Sequence, residues 1–429
     1  MLIRETRHLI LALLCSTGVL LLSAACGTPA QANQPSSTPT VNQQFTSPAG
    51  QSTPGSTSSS LTVSTSCPAA GSGRAAVMPA LRLGNHNTIV FFDNNPAGNP
   101  SMALKRYDAE TGKTTTILSE NRENIQTAQL SGDGQWVLFI AQSANNTSEI
   151  QLVRIDGQYL QTLYCAPSGQ QVDPTNSTGM QWSPDQKEII FTQGANDNSP
   201  LPLYLLTVAT GKVQLELAAD PNFYIQPRTW VDDTRVDVTT SSPGNLDIPA
   251  TMDILDISKG PNQQASNLQV VLGVSDTPWD FDSTYDASKL FVVRYDPTVG
   301  RAGPGTFCQI SSESIEGTNG SLIFNSSTLV VSSLRVAGYG SSSLLLDVNA
   351  RGAPSDQYNG IWRLNANGTG LKRLTNLPGP FNQFTQYPWS NVSRDGSLYL
   401  DDNVFGSLNG GSTTQYTNEG SFTIGWTTM

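Results

Sequence analysis

The sequence predicts an all-β fold, a single β-propeller. Three observations carry this: a turn cassette that returns at near-constant spacing, a tryptophan that returns with it, and a composition rich in turn residues and poor in charge. The cassette is clearest at Trp182-Ser183-Pro184-Asp185-Gln186-Lys187-Glu188-Ile189-Ile190-Phe191. Further copies are Leu130-Ser131-Gly132-Asp133-Gly134, running on through Gln135-Trp136-Val137-Leu138-Phe139-Ile140, and Val392-Ser393-Arg394-Asp395-Gly396, running on through Ser397-Leu398-Tyr399-Leu400. In each, a short apolar segment meets a Ser/Pro/Asp/Gly cluster and then a β-branched and aromatic run, which reads as strand, tight turn, strand. The aspartate can accept hydrogen bonds from turn amides. Gly134 and Gly396 can supply a positive φ, whereas Gln186 must do without that freedom.

The turn aspartates Asp133, Asp185, Asp233 and Asp286 are 52, 48 and 53 positions apart, and Asp395 follows after 109, about two steps. Trp182, Trp230 and Trp279 are 48 and 49 apart, and Trp389 follows after 110. A period near 50 built from short strands suits a four-stranded propeller blade. The units lack the long three-and-four apolar spacing of a helical repeat. The cassette resembles the Ser-Pro-Asp-Gly blade repeat of TolB-like β-propellers, relatives of the WD-type propellers. Gly360-Ile361-Trp362-Arg363-Leu364-Asn365-Ala366-Asn367-Gly368-Thr369-Gly370-Leu371-Lys372-Arg373-Leu374-Thr375 is similar to that family's outer hairpin. The resemblance covers most of residues 80 to 429 and is thin between about 300 and 345.

Taken in order, the chain begins with Arg4 and Arg7, the apolar run Leu9 to Leu22, and Ser23-Ala24-Ala25-Cys26. The run is too short for a bilayer-spanning helix and reads as an export signal over 1–25. The pattern resembles a bacterial lipoprotein signal, which implies lipidation of Cys26, a tether to the cell membrane and an extracytoplasmic location. Ser23 departs from the Leu such signals prefer at that position; an ordinary secretory signal or an uncleaved anchor are the alternatives. Residues 26–66 form a Ser/Thr/Pro linker, and 27–66 carry no charged side chain. As a flexible coil, about 40 residues reach roughly 30–40 Å. The propeller occupies 67–429. Cys67, Cys165 and Cys308 are an odd set: export permits Cys67 to staple the start of the head to a blade through Cys165 or Cys308, and buried free thiols are the alternative.

Ala75 to Leu83 is expected to supply a strand that closes the ring with the last blade, because closure removes exposed edges. Blade one then takes Thr88–Phe92, Leu104–Tyr107 and Thr114–Leu118. Blade two spans about 126 to 165, with outer strands Ile150–Ile155 and Tyr159–Tyr164. Blade three continues through Leu203–Val208 and Val213–Leu217. Blade four turns at Asp232-Asp233 and uses Met252–Ile257 and Leu268–Leu272. Blade five begins near Trp279 and carries Leu290–Val293 before an exposed loop, Pro297 to Pro304. Between 318 and 350 the pattern thins, through Leu322-Ile323-Phe324, Leu329-Val330-Val331 and Leu344-Leu345-Leu346-Asp347-Val348, and a degenerate blade six is expected there, ending at Leu374-Thr375. Blade seven takes Trp389 to Leu400 and finishes with Phe422 to Trp426. Six blades are the alternative, if 281–375 form one blade with long insertions.

Chemistry is sparse. Charged residues make up 13% and the formal charge is −11; without a basic stripe, nucleic acid and anionic lipid are excluded as main partners. Beyond the signal the one histidine is His86, in a turn, and no Gly-x-Ser-x-Gly elbow accompanies it. Asp280, Asp282 and Asp286 form a local acidic cluster whose oxygens calcium could use, although it lacks the glycine and terminal glutamate of an EF-hand; no other metal or cofactor is expected. Asp401-Asp402-Asn403 reads as a solvated turn. The recurring tryptophans read as packing between blades rather than sugar platforms. The expected function is a membrane-tethered, monomeric binding or scaffolding head for a protein, peptide or glycan. The resemblance to TolB-like proteins implies a sensor or assembly role. The competing reading is a propeller enzyme, a calcium-assisted hydrolase, lyase or glycan-active protein, which needs two or more carboxylates converging at the central channel.

Overall fold

In a computed structural model, the turn cassette folds as its chemistry requires. The structure describes residues 64–69, 71–74, 80–94, 102–120, 124–142, 147–173, 179–195, 199–241, 251–273, 278–294, 308–338, 340, 342–349, 357–376, 388–417 and 421–429. The export signal, Cys26, the linker as far as 63 and the loop Pro297–Pro304 lie outside them. Asp185 Oδ1 accepts hydrogen bonds from Lys187 N at 3.1 Å and Ser183 Oγ at 2.8 Å, and Ser183 Oγ accepts from Glu188 N at 2.9 Å. Asp133, Asp286 and Asp395 hold the amides of Gln135, Ser288 and Ser397 in the same way, at 3.0, 3.1 and 3.0 Å. Blade four differs: its turn uses Asp232, not Asp233, to accept from Thr234 N and Arg235 N, both at 2.8 Å.

The residue after the aspartate is left-handed in the longer turns, at φ 74° for Gly134 and 62° for Gln186. A side chain there costs about 1–2 kcal/mol, partly offset by the backbone entropy that glycine loses on folding. Gln186→Gly is therefore expected to stabilise the protein by about 0.5–1 kcal/mol, read as a higher denaturant midpoint. A lower midpoint would mean that the Gln186 side chain contributes more than its backbone costs.

Seven sheets follow one another along the chain. Blade one orders Ser421–Thr428, Asn87–Asn94, Met102–Asp108 and Thr114–Glu120; blade two orders Asn124–Leu130, Trp136–Gln142, Ser148–Arg154 and Gln161–Cys165. Blade three runs Met180–Trp182, Glu188–Gly194, Leu203–Thr207 and Lys212–Leu217, with the short Gln171–Val172 added beside its second strand. Blade four is Tyr224–Trp230, Arg235–Ser241, Thr251–Asp256 and Gln269–Leu272. Blade five is Pro278–Ser283, Leu290–Arg294, Cys308–Glu313 and Ser321–Ser326, and blade six Val331–Ala337, Ser343–Val348, Gly360–Asn365 and Lys372–Arg373. Blade seven keeps Leu398–Asp401, Val404–Ser407 and Thr414–Gln415, and its innermost position is taken by a 3-10 turn, Pro388–Asn391, and the bridge of Val392 to Tyr399. Among the described residues no helix is long and apolar enough to cross a membrane.

Two expectations are corrected. The ring is closed by the C-terminal strand: Ser421–Thr428 pairs antiparallel with Asn87–Asn94, from Asn87 opposite Thr428 to Asp93 opposite Ser421. Phe422 to Trp426 thus belongs to blade one, not blade seven. Of Ala75 to Leu83, residues 75–79 lie outside the described set, and 80–83 form no strand; Leu81 and Leu83 pack as side chains against the interface of blades one and two. The second correction is the border of blade six. Leu322-Ile323-Phe324 is the outer strand of blade five, paired with Cys308–Glu313, and blade six starts at Val331.

The core is a series of interfaces. Alternate residues of a strand point to opposite faces, and each face meets a neighbouring blade. Ile89 and Phe91 of blade one join Leu400, Phe405 and Tyr416 of blade seven, while Val90 and Phe92 join Val137, Phe139 and Val153 of blade two. Trp136, Leu138 and Ile140 pack with Trp182, Ile189 and Phe191 of blade three; Ile190 and Leu205 of blade three pack with Trp230 and Val236 of blade four. The remaining clusters join blades four and five, five and six, and six and seven. This two-sided burial is why second strands such as Trp136–Gln142 read as continuous apolar runs.

Cys67 is bonded to Cys165, closing 98 residues. The flanking segment lies along the outer strand of blade two: Thr162 N donates to Ser64 O at 2.8 Å, and Arg74 donates to Thr162 O at 3.0 Å and Ser66 O at 2.7 Å. Cys308 sits in blade five and has no part in the bridge. Because the bridge restricts a long loop in the unfolded chain, its reduction is expected to lower stability by about 2–4 kcal/mol. An unchanged unfolding midpoint in reductant would contradict this.

Candidate functional site

The inner strands of blades two, three and four end at Leu130, Trp182 and Trp230, immediately before their turns, and Gln129, Gln181 and Thr229 stand one residue earlier in the same register. These six, with Ser131, Gly132, Ser183, Pro184, Tyr285 and Ser390, line a cavity of about 40 Å3. It lies where the innermost segments of five blades meet, at the turn-side mouth of the central channel. Neighbouring blades are tied there through side chains: Gln129 Oε1 accepts from Trp182 N at 2.9 Å. Two long side chains converge over the rim at Gly132. Arg394 of blade seven donates to Gly132 O at 2.9 Å, and a methyl group on Gly132 would stand 3.2 Å from the Tyr285 hydroxyl of blade five.

The lining is neutral. No Asp, Glu, His, Cys, Lys or Arg is among these described lining residues. The hydroxyls of Ser131 and Ser183 are committed to Asp133 and Asp185. Trp182 Nε1, Trp230 Nε1 and Gln181 Nε2 are buried N–H donors without a hydrogen-bond partner.

The charges lie between blades four, five and six. Asp280 Oδ2 accepts from Leu334 N at 2.7 Å and Arg335 Nη1 at 2.9 Å, and its other oxygen is 3.4 Å from Arg228 Nη2. Arg228 stacks over the Phe281 ring at 4.1 Å. Asp282 accepts from Val336 N at 2.7 Å; burial pushes its pKa up to about 7 against the pull of Arg335 and Arg228. Asp237 is likewise pushed up to about 7 by burial, opposed by Arg228 and reinforced by Asp282 and Asp253. Burial opposes the Arg335 charge, but Asp280 and Asp282 outweigh it and hold the guanidinium above its ordinary pKa.

The sequence-expected site residues therefore take other roles. Asp280 is an ion-pair hub, Asp282 caps a backbone amide of the next blade, and Asp286 accepts from Thr284 Oγ1 at 2.6 Å within its turn. Their oxygens do not gather within 4.8 Å as a set of ligands; the group that does among the described residues, Cys67, Glu149 and Cys165, contains the disulfide. Asp401 is not the solvated turn residue expected: it is 4% exposed and burial, with Asp347 and Asp402 nearby, pushes its pKa up to about 7. His86 is a half-buried residue of the bend before Asn87, 3.0 Å from Asp108 and 3.4 Å from Glu110; the hydrogen bond with Asp108 leads in raising its pKa. Its backbone completes the ring closure by exchanging hydrogen bonds with Met429, both at 3.1 Å.

Trp182 and Trp230 pack between blades as expected, and Trp279 Nε1 donates across to Ser332 O of blade six at 3.1 Å. The Trp389 side chain lies outside the described set. Sequence reasoning missed the unpartnered indoles and the Arg228–Asp280–Arg335 chain. A signal existed for the latter: Asp280 and Arg335, about one repeat apart, both interrupt apolar inner strands.

Among solved structures, oligogalacturonate lyase in complex with manganese matches at a TM-score of 0.53 and 14% identity, covering 76% of this chain and 83% of that one. TolB from Acinetobacter baumannii matches at 0.43 and 14%, covering 66% of this chain and 63% of its own. A puromycin-hydrolyzing peptidase from Mycobacterium tuberculosis matches at 0.41 and 13%, covering 70% and 45%. The chain thus spans less than two thirds of the TolB chain. No protein-family model matches the sequence, and no curated protein matches it. At such identities the likeness is one of fold, which hosts many functions. In fold, the chain is a seven-bladed β-propeller.

Proposed function

We propose that the protein is a binding or scaffolding module, a lipid-tethered bacterial propeller on the extracytoplasmic side that holds a protein, peptide or glycan at its turn-side channel mouth. The neutral, aromatic and hydrogen-bonding lining of that mouth carries the reading. General acid–base catalysis needs a titratable group within hydrogen-bond reach of the reacting atoms, and glycoside hydrolysis normally needs two carboxylates flanking the bond. Among its described lining residues the mouth offers no carboxylate, histidine, cysteine or lysine, and its one titratable side chain is the Tyr285 phenol; it offers donors and rings, which suit recognition. The lyase likeness keeps a metal-assisted enzyme as the second reading, but calcium or manganese at Asp280 and Asp282 would have to displace Arg335 and two backbone amides.

Tethering through Cys26 gives the head a fixed address, and the linker, as a coil, lets it work about 30–40 Å from the bilayer. The formal charge of −11 favours a cationic or neutral partner. Capture from solubilised membranes with the full-length chain is the test. A ligand retained by the wild type and lost in Tyr285→Ala is expected; retention by both would place binding elsewhere. Cys26→Ala should move the protein to the soluble fraction, and continued membrane retention would contradict the lipid tether.

A further inference from the structure

We propose that Cys67, Cys165 and Glu149, on the outer rim of blade two, form a zinc(II)-binding site once the disulfide between the two cysteines is reduced. One ligand atom from each residue, two sulfurs and a carboxylate oxygen, lies within 4.8 Å of the other two. Cys67 is exposed and the other two are half-buried, so a reductant and a metal ion can both reach the group. The convergence comes from the fold. Glu149 and Cys165 stand directly opposite each other on the paired strands Ser148–Arg154 and Gln161–Cys165, so their side chains share one face of the blade. Gln151 Nε2 donates to Glu149 Oε2 at 2.9 Å and orients the carboxylate, as the outer partners of metal ligands do.

Cys67 is held there by more than the disulfide. Thr162 N donates to Ser64 O at 2.8 Å, Thr162 Oγ1 to Thr65 O at 2.9 Å, and Arg74 to Ser66 O at 2.7 Å and to Thr162 O at 3.0 Å. None of these bonds involves sulfur, so reduction leaves the ligands preorganised. A dithiol reductant supplies the electrons and protons: the S–S bond breaks, each sulfur becomes a thiol, and the reductant closes its own disulfide. Zinc binding then releases both thiol protons, because the thiolates are the ligands. Two thiolates on one tetrahedral zinc stand about 3.8 Å apart, given Zn–S bonds of about 2.3 Å. Rotation of the two side chains supplies that opening at a Cα separation of 5.7 Å. Two sulfurs and one carboxylate oxygen select zinc over calcium or magnesium, which take oxygen ligands, and the fourth position falls to water. The disulfide thus excludes the metal, and reduction admits it. The site is remote from the channel mouth in the fold and does not depend on the ligand proposed there.

Reduction of the full-length wild type with a water-soluble phosphine under nitrogen, followed by titration with cobalt(II) and displacement by zinc, tests this. Thiolate-to-cobalt charge-transfer absorption that saturates at one metal per chain and is abolished by zinc is expected in the reduced protein and not in the oxidised one. Cys165→Ser should lose the band. Glu149→Gln should weaken zinc binding at least about tenfold, since loss of an outer partner of a ligand already costs that much. No binding after reduction, a band retained in Cys165→Ser, or equal zinc affinity in the wild type and Glu149→Gln overturns the proposal. Zinc should also raise the unfolding midpoint of the reduced wild type and leave that of the oxidised protein unchanged, because the metal binds the folded site alone. This readout needs no variant, and a reduced protein whose midpoint ignores zinc overturns the proposal as well.

Discussion

Deleting Ser421–Met429 is expected to unfold the propeller as a whole. These residues form the innermost strand of the first blade, and their removal strips one edge of Asn87–Asn94 of its paired strand, from Asn87 to Asp93, leaving only the pairing with Met102–Asp108. It also removes Ile424 from the interface of blades one and two and Trp426 from that of blades seven and one, both fully or almost fully buried. Replacing one buried tryptophan by alanine costs about 3–5 kcal/mol, and a whole domain is held by about 5–15 kcal/mol. Trp426→Ala should therefore consume about a fifth or more of the stability, and the deletion should exceed it. The truncated chain is expected to lack a cooperative thermal transition by circular dichroism. A transition within a few degrees of the wild type would show that the ring does not depend on this strand.

Arg335→Met is expected to destabilise by about 3–5 kcal/mol, the usual cost of removing one partner from a buried ion pair. Arg335 pairs with Asp280 and its charge also opposes the raised pKa of Asp282. The pH dependence has a definite sign. Asp282 and Asp237 have folded pKa values of about 7, above the ordinary carboxylate value. Between roughly pH 4 and 7 the folded state therefore binds more protons than the unfolded state, and these groups make stability fall as pH rises. Without Arg335 the ionised form of Asp282 is harder still to accommodate. The deficit of the variant should be larger at pH 8 than at pH 5, measured by denaturant unfolding at both. An equal deficit, or one below about 1 kcal/mol, would mean that the pair is screened by solvent as exposed pairs are.

What the sequence made legible was local. The Ser-x-Asp turn is built within six residues, so the hydrogen bonds at Ser183 and Asp185 were visible as a pattern, and the near-regular recurrence of that pattern favoured seven blades over six. Closure was not legible, because Phe422–Trp426 is an apolar run that any unpaired strand could accept; its partner lies more than 300 residues away. The border of blade six was hidden for another reason. Ser321–Ser326 is an outer strand whose residues are half-buried or exposed, so it carries no continuous apolar signal to assign it to blade five. At the channel mouth the tryptophans were legible as packing rings, since their spacing gives that role. That their Nε1 atoms face no acceptor depends on which blade stands opposite, and only the assembled ring determines it.

The closed ring is tested most directly by hydrogen exchange. In it the amides of Ser421–Thr428 that donate to Asn87–Asn94, alternate residues of this edge strand, should exchange as slowly as those of the core strand Trp136–Gln142 and lose protection only with global unfolding. Fast exchange of those amides while 136–142 stays protected would contradict it.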